Sequence, residues 1–204
     1  MQFNALAKNE ISLKKCSHMQ YQKIFFLVIL ISISTVLISN QLQSTDNISI
    51  LVNNSGPFIG TSISYQSGYD GSGIVVSIID TGIDLNHPDL EGQIIGGYDF
   101  VDNDEIPEDT NGHGTQVAGI IASNGNLKGI APNSKILMYK VSEDGESVPS
   151  HLIIKAIEKS IEDNADIINI SLGINQTNTK IDQVVNKAVK NNIFVVTAAG
   201  NFGP

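Results

Sequence analysis

The chain has 204 residues, with 12 Lys and no Arg against 21 Asp and Glu, a net charge of −9, 41% hydrophobic content and one Cys. That suffices for one packed domain of ordinary size. The acidic balance without a basic patch argues against a nucleic-acid partner, and a lone Cys16 leaves neither a disulfide nor a Cys-based zinc site.

The bases are unevenly placed. Lys8, Lys14, Lys15 and Lys23 precede an uncharged apolar run, residues 24–39 (IFFLVILISISTVLIS), and no further base occurs until Lys128. This is the pattern of a signal segment inserted with its basic end inside. As a helix, sixteen residues span about 24 Å, short of the roughly 30 Å hydrocarbon core, which favours a secretory signal over an anchor. Yet Leu37 and Ile38 are bulky and only Ser39 is small, so the run lacks a clear cleavage site. Residues 1–39 are therefore read as a signal peptide or, if uncleaved, a signal anchor that keeps membrane contact through 24–39. Residues 40–58, polar and rich in Asn and Ser, read as a linker into a body of residues 59–204.

From Gly71 onward, strand and helix patterns alternate. Residues 74–79 form a β-branched run broken by one Ser, as expected of a strand buried on both faces. Further strands are expected around 94–101, 135–141, 166–171 and 193–198, and a helix over 117–122. Leu152, Ile153, Ala156, Ile157 and Ile161 recur at helical spacing, as do Ile181, Val184, Val185, Ala188 and Val189. This order predicts an α/β domain, a mainly parallel sheet flanked by helices.

In such a sheet, ligands bind beyond the carboxyl ends of the strands. The first strand runs into Asp80-Thr81-Gly82, where the Asp is either an orienting carboxylate or a turn and cap residue. Aspartic proteases share the triplet but need a second copy, which is absent from residues 1–204. Next comes Asn111-Gly112-His113-Gly114-Thr115, a single His between two Gly, small neighbours that leave an imidazole free to act as a general base. Ala198-Ala199-Gly200-Asn201 follows the last strand, and the Asn201 amide could donate to a developing oxyanion or merely form a turn.

Taken in this order, Asp80, His113 and Asn201, with Ser171-Leu172-Gly173 closing the intervening strand, resemble the subtilisin family of serine proteases from about Gly71 to Pro204. The resemblance implies a three-layer subtilisin-like fold and peptide-bond hydrolysis of protein or peptide substrates, with no cofactor needed for the chemistry. By it, Asp80 orients His113, His113 is general base and acid, Asn201 helps form the oxyanion hole, and Ser171, Leu172 and Gly173 line the substrate-binding edge. Gln116 stands where many relatives have a second His, which is not a triad position.

The family's nucleophilic Ser, in a Gly-Thr-Ser-Met-Ala-like motif after the oxyanion Asn, has no counterpart by Pro204. The expectation is thus a domain truncated on its C-terminal side and inactive alone. Gly60-Thr61-Ser62-Ile63-Ser64 imitates the motif but precedes Asp80 and reads better as a short helix. The resemblance also raises structural calcium, at Asp89 or in the acidic loop of Asp102, Asp104 and Asp109. That loop fails the EF-hand pattern, and a solvated acidic turn is the better reading. A different class of function is a non-catalytic extracytoplasmic module that retains a peptide groove. A dinucleotide-binding domain fits poorly, because Gly71-Ser72-Gly73 precedes its strand instead of following it.

Overall fold

The computed structural model describes residues 56, 59–145, 148–173 and 178–199. A short helix, α1 (Thr61–Gln66), precedes β1 (Val75–Asp80), a 3-10 turn (Pro88–Leu90) and β2 (Ile94–Asp99). There follow α2 (His113–Ala122), β3 (Lys135–Lys140), α3 (Ser150–Glu162), β4 (Ile167–Ile170), α4 (Thr179–Lys190) and β5 (Phe194–Thr197). The five strands form one parallel sheet in the order β2-β3-β1-β4-β5.

Alternation along the central strand separates two cores. Val76 and Ile78 pack with Val117, Ala118 and Ile121 of α2, whereas Ile79 packs with Ile153 and Ile157 of α3 and with Val184 and Ala188 of α4. Successive side chains of a strand face opposite ways, so α2 covers one face, α3 and α4 the other, and the three-layer α/β expectation holds. Two polar groups within this sheet are satisfied internally. Ser77 Oγ lies 2.6 Å from Ser160 Oγ, and Asp166 Oδ2 accepts from Val75 N at 3.0 Å.

Parallel pairing aligns the strand ends. Asp80 stands opposite Lys140, Ile79 opposite Ile170, and Ile170 opposite Thr197, so the segments leaving β1, β3, β4 and β5 meet along one edge.

Two expected boundaries shift for local reasons. The second strand ends at Asp99 because Asp99 Oδ1 accepts from Val101 N at 2.7 Å and Asp102 N at 3.0 Å, turning the chain. The helix expected from Val117 begins at His113, since nearby side chains serve the amides of its first turn. The helix expected at 60–64 forms as α1. No helix among the described residues is long and apolar enough to cross a membrane, and residues 24–39 lie outside the described residues.

Candidate active site

Asp80, fully buried, is the last residue of β1, and His113 is the first residue of α2. His113 Nδ1 lies 2.7 Å from Asp80 Oδ1, which also accepts from Thr81 N at 2.8 Å. An ionised carboxylate can only accept, so the shared proton belongs on Nδ1, and Nε2 of the neutral ring is left as an acceptor. The imidazole keeps 34% of its surface open while Asp80 keeps none, so the pair has a solvent-facing end and a buried end. The hydrogen bond that His113 donates to Asp80 holds its pKa above its ordinary value; desolvation opposes this, and the charges of Asp80 and Asp109 add to it. Asp80 Oδ2 is buried and has no donor among the described residues.

The local sequence builds this junction by capping. The first amides of a helix lack intrahelical partners, and here three side chains supply them. Asn111 Oδ1 accepts from His113 N at 3.2 Å, Thr81 Oγ1 from Gly114 N at 2.9 Å, and Asp109 Oδ2 from Thr115 N at 2.9 Å. The first regular backbone bond, Gln116 N to Gly112 O, follows at 3.1 Å. Gly114 permits the close approach: a Cβ there would lie 2.1 Å from Gly82 O. Gly82 in turn has φ +116°, and its own Cβ would meet Glu108 O at 2.7 Å.

The sequence reading missed the strap beside this pair. Lys140, buried at the end of β3, reaches Asp99 Oδ2 at 3.4 Å and Glu143 Oε1 at 2.9 Å. Thr110 Oγ1 donates to Glu143 Oε2 at 2.7 Å and Asn111 Nδ2 to Asp144 O at 3.2 Å, so the loop after β3 is fastened to the loop before His113. Burial disfavours the Lys140 charge, but its hydrogen bond to Glu143 and the charge of Asp99 outweigh that and raise its pKa. A Lys directly after the apolar run Ile136–Tyr139, three residues before an acid, was the available signal.

Ser171, Leu172 and Gly173 continue from β4 at the same sheet edge. Asn169 Nδ2 donates to Ser171 Oγ at 2.8 Å, Gly173 is exposed, and Leu172 is buried in the core beneath α3 and α4. Leu172 therefore packs inward, while Gly173 and part of Ser171 stay open to solvent. Ala198 N donates to Ile170 O at 3.1 Å, which brings the chain leaving β5 beside the chain leaving β4. Asn201 lies outside the described residues.

Three of the four expected calcium ligands, Asp89, Asp104 and Asp109, already hold hydrogen-bond donors. Asp89 spends its carboxylate on Asn126 N at 2.8 Å and Leu127 N at 3.3 Å, closing the 123–128 loop. Asp104 accepts from Ile106 N at 2.8 Å, and Asp109 is filled by donors from Thr81, Asn111, Gly112 and Thr115. Among the described residues, no three His, Cys or acidic side chains converge as metal ligands. Asp89, Asp104 and Asp109 act as turn and loop caps, because their oxygens already face N–H and O–H donors.

Residues 71–204 match the family model of peptidase S8, the subtilase family. The chain belongs to the subtilase family. This subtilase is 40% identical over 175 residues to the minor extracellular protease Vpr of Bacillus subtilis, covering 79% of the chain and 22% of that protein. It is 45% identical to the major intracellular serine protease of Bacillus subtilis, over 68% of the chain and 46% of the relative. With thermitase of Thermoactinomyces vulgaris it shares 41% over 66% of the chain and 50% of that protein. A solved cold-adapted subtilisin-like serine proteinase is similar with a TM-score of 0.59 and 36% identity, over 64% of the chain and 48% of the other. The subtilase thus spans half or less of the length of these relatives.

Proposed function

We propose that this chain carries the general-base half of a serine endopeptidase site. The observation that supports it best is the 2.7 Å contact between a fully buried carboxylate and a part-exposed imidazole across the β1–α2 junction. In this reading, His113 Nε2 takes the proton of a Ser hydroxyl as the oxygen attacks the scissile carbonyl, then delivers it to the departing amine. Asp80 fixes the Nδ1–H tautomer and stabilises the imidazolium. The Asn201 amide donates to the tetrahedral oxyanion, a contact worth about 2.7–4 kcal/mol in subtilisin itself. Backbone groups at Ser171 and Gly173 pair with an extended protein or peptide substrate.

The Gly-Thr-Ser stretch at 60–62 precedes Asp80, and we propose that its Ser62 is not the nucleophile and that residues 59–204 contribute proton transfer and peptide binding. The proposed layout is an export segment at 1–39, a linker at 40–58 and peptidase-domain sequence from 59 onward, which directs the protein out of the cytoplasm.

The test joins residues 59–204 to the part of thermitase that follows the matched region and assays a chromogenic peptide. Hydrolysis that falls by several orders of magnitude in His113→Ala is expected. Turnover indifferent to His113 would contradict the assignment. Labelling of the unextended chain at Ser62 by a fluorophosphonate probe would contradict the account of the nucleophile.

A further inference from the structure

Asp109 lies four residues before His113, and the chemistry proposed above does not use it. Its carboxylate accepts five hydrogen bonds. Oδ1 receives Thr81 Oγ1 at 3.0 Å, Asn111 N at 3.1 Å and Gly112 N at 2.8 Å. Oδ2 receives Thr115 N at 2.9 Å and Thr115 Oγ1 at 2.6 Å. These donors come from two places: Thr81 directly follows Asp80, and Asn111, Gly112 and Thr115 bracket His113. The links continue outward, since Thr81 Oγ1 accepts from Gly114 N at 2.9 Å and Thr115 Oγ1 from Asp84 N at 2.9 Å. The backbone is fastened too, with Ile83 N donating to Pro107 O at 2.8 Å and Asp109 N to Ile83 O at 3.3 Å. One carboxylate thus joins the turn after β1 to the first turn of α2, the two segments whose separation sets the distance from Asp80 to His113.

We propose that Asp109 is a positioning residue for His113, holding the β1 turn and the α2 start in one register and placing a second negative charge near the imidazolium. The proposal rests on the reading of His113 as general base. Charge matters here because His113 occupies the first position of α2, where the positive end of the helix dipole disfavours a protonated ring. Burial opposes ionisation of Asp109, but the hydrogen bonds from Thr115, Gly112 and Asn111 keep its pKa below the ordinary value, so it stays anionic while His113 titrates. The charged groups bearing on the ring are Asp80 from β1 and Asp109 from this loop. Glu143 of the neighbouring loop is met by Lys140 and Thr110.

The experiment is an NMR pH titration of His113 in the full 204-residue chain labelled with 15N-histidine, with the signal assigned by H113A. In Asp109→Asn the His113 midpoint is expected below that of the parent. In Thr115→Ala, which removes the hydroxyl joining Asp109 to Asp84 N but keeps the charge, the melting temperature is expected to fall with the midpoint unmoved. An Asp109→Asn midpoint equal to the parent, or a Thr115→Ala midpoint lowered as far as that of Asp109→Asn, would overturn the proposal. Should Asp109→Asn unfold, Thr81→Val cuts the link from Asp109 to the β1 turn together with the acceptor for Gly114 N, and is expected to weaken the low-field Nδ1–H resonance; an unchanged resonance would overturn the proposal. A midpoint in Asp80→Asn equal to the parent would instead sink the general-base reading, whatever Asp109 does.

Discussion

Gly114→Ala tests the junction between β1 and α2 with a single methyl group. The added Cβ would lie 2.1 Å from Gly82 O and 3.1 Å from Gly82 C and N, all backbone atoms that cannot rotate aside. Non-bonded carbons rest about 3.5–4.0 Å apart, so the start of α2 must retreat by about 1 Å. That retreat stretches the bond from Gly114 N to Thr81 Oγ1 from 2.9 Å and the His113–Asp80 contact from 2.7 Å, towards or past the range of a useful hydrogen bond. Overpacking costs about 1–3 kcal/mol, a lost hydrogen bond about 0.5–1.5 kcal/mol, and the better helix propensity of Ala returns at most about 1 kcal/mol. The sum is a destabilisation of about 0.5–3.5 kcal/mol, which the steric term decides. With a urea m-value of about 1–3 kcal/mol/M, the unfolding midpoint should fall by about 1 M. Circular dichroism during urea unfolding reads this directly. A midpoint equal to the parent with the His113 Nδ1–H resonance intact would refute the reasoning.

Other perturbations address separate parts of the account. Ile157, fully buried between α3 and the sheet, should lose about 2–5 kcal/mol on mutation to Ala, read by the same urea titration. Lys140→Met leaves the buried Asp99 carboxylate without its cation and should cost about 3–5 kcal/mol. Glu143→Gln, at the half-exposed end of the strap, should cost under about 1 kcal/mol. Because the folded-state pKa of His113 is raised, its pairing with Asp80 stabilises the fold fully below about pH 6.5, the unfolded value, and less as pH rises through the folded pKa. The gap in melting temperature between the parent and Asp80→Asn should therefore narrow with rising pH across that window. Since Asp89, Asp104 and Asp109 already accept backbone and hydroxyl donors, millimolar calcium or a chelator should leave the melting temperature unchanged.

The sheet was legible because its strands are short apolar runs separated by helices with clear apolar stripes, as at 152–161 and 181–189. The places of Asp80 at a strand end and His113 at a helix start were legible because each sits in a small-residue motif. The start of α2 was not, since its caps come from Thr81 and Asp109 as well as the adjacent Asn111, contacts that periodicity does not encode. The acidic loop of Asp109 left two readings open for a related reason: it looks alike whether its oxygens face a cation or backbone amides. Only the Lys140–Glu143 half of the strap left a signal in the sequence, because Asp99, 41 residues before Lys140, meets it only through the β2–β3 pairing.

The central claim is that Asp80 fixes His113 as a base with Nδ1 protonated and Nε2 free. The 15N spectrum of His113 in the 204-residue chain, above its titration midpoint, tests this most directly. The account predicts a protonated Nδ1 with a low-field proton that Asp80→Asn abolishes. A proton on Nε2, or a low-field signal unaffected by Asp80→Asn, would contradict it.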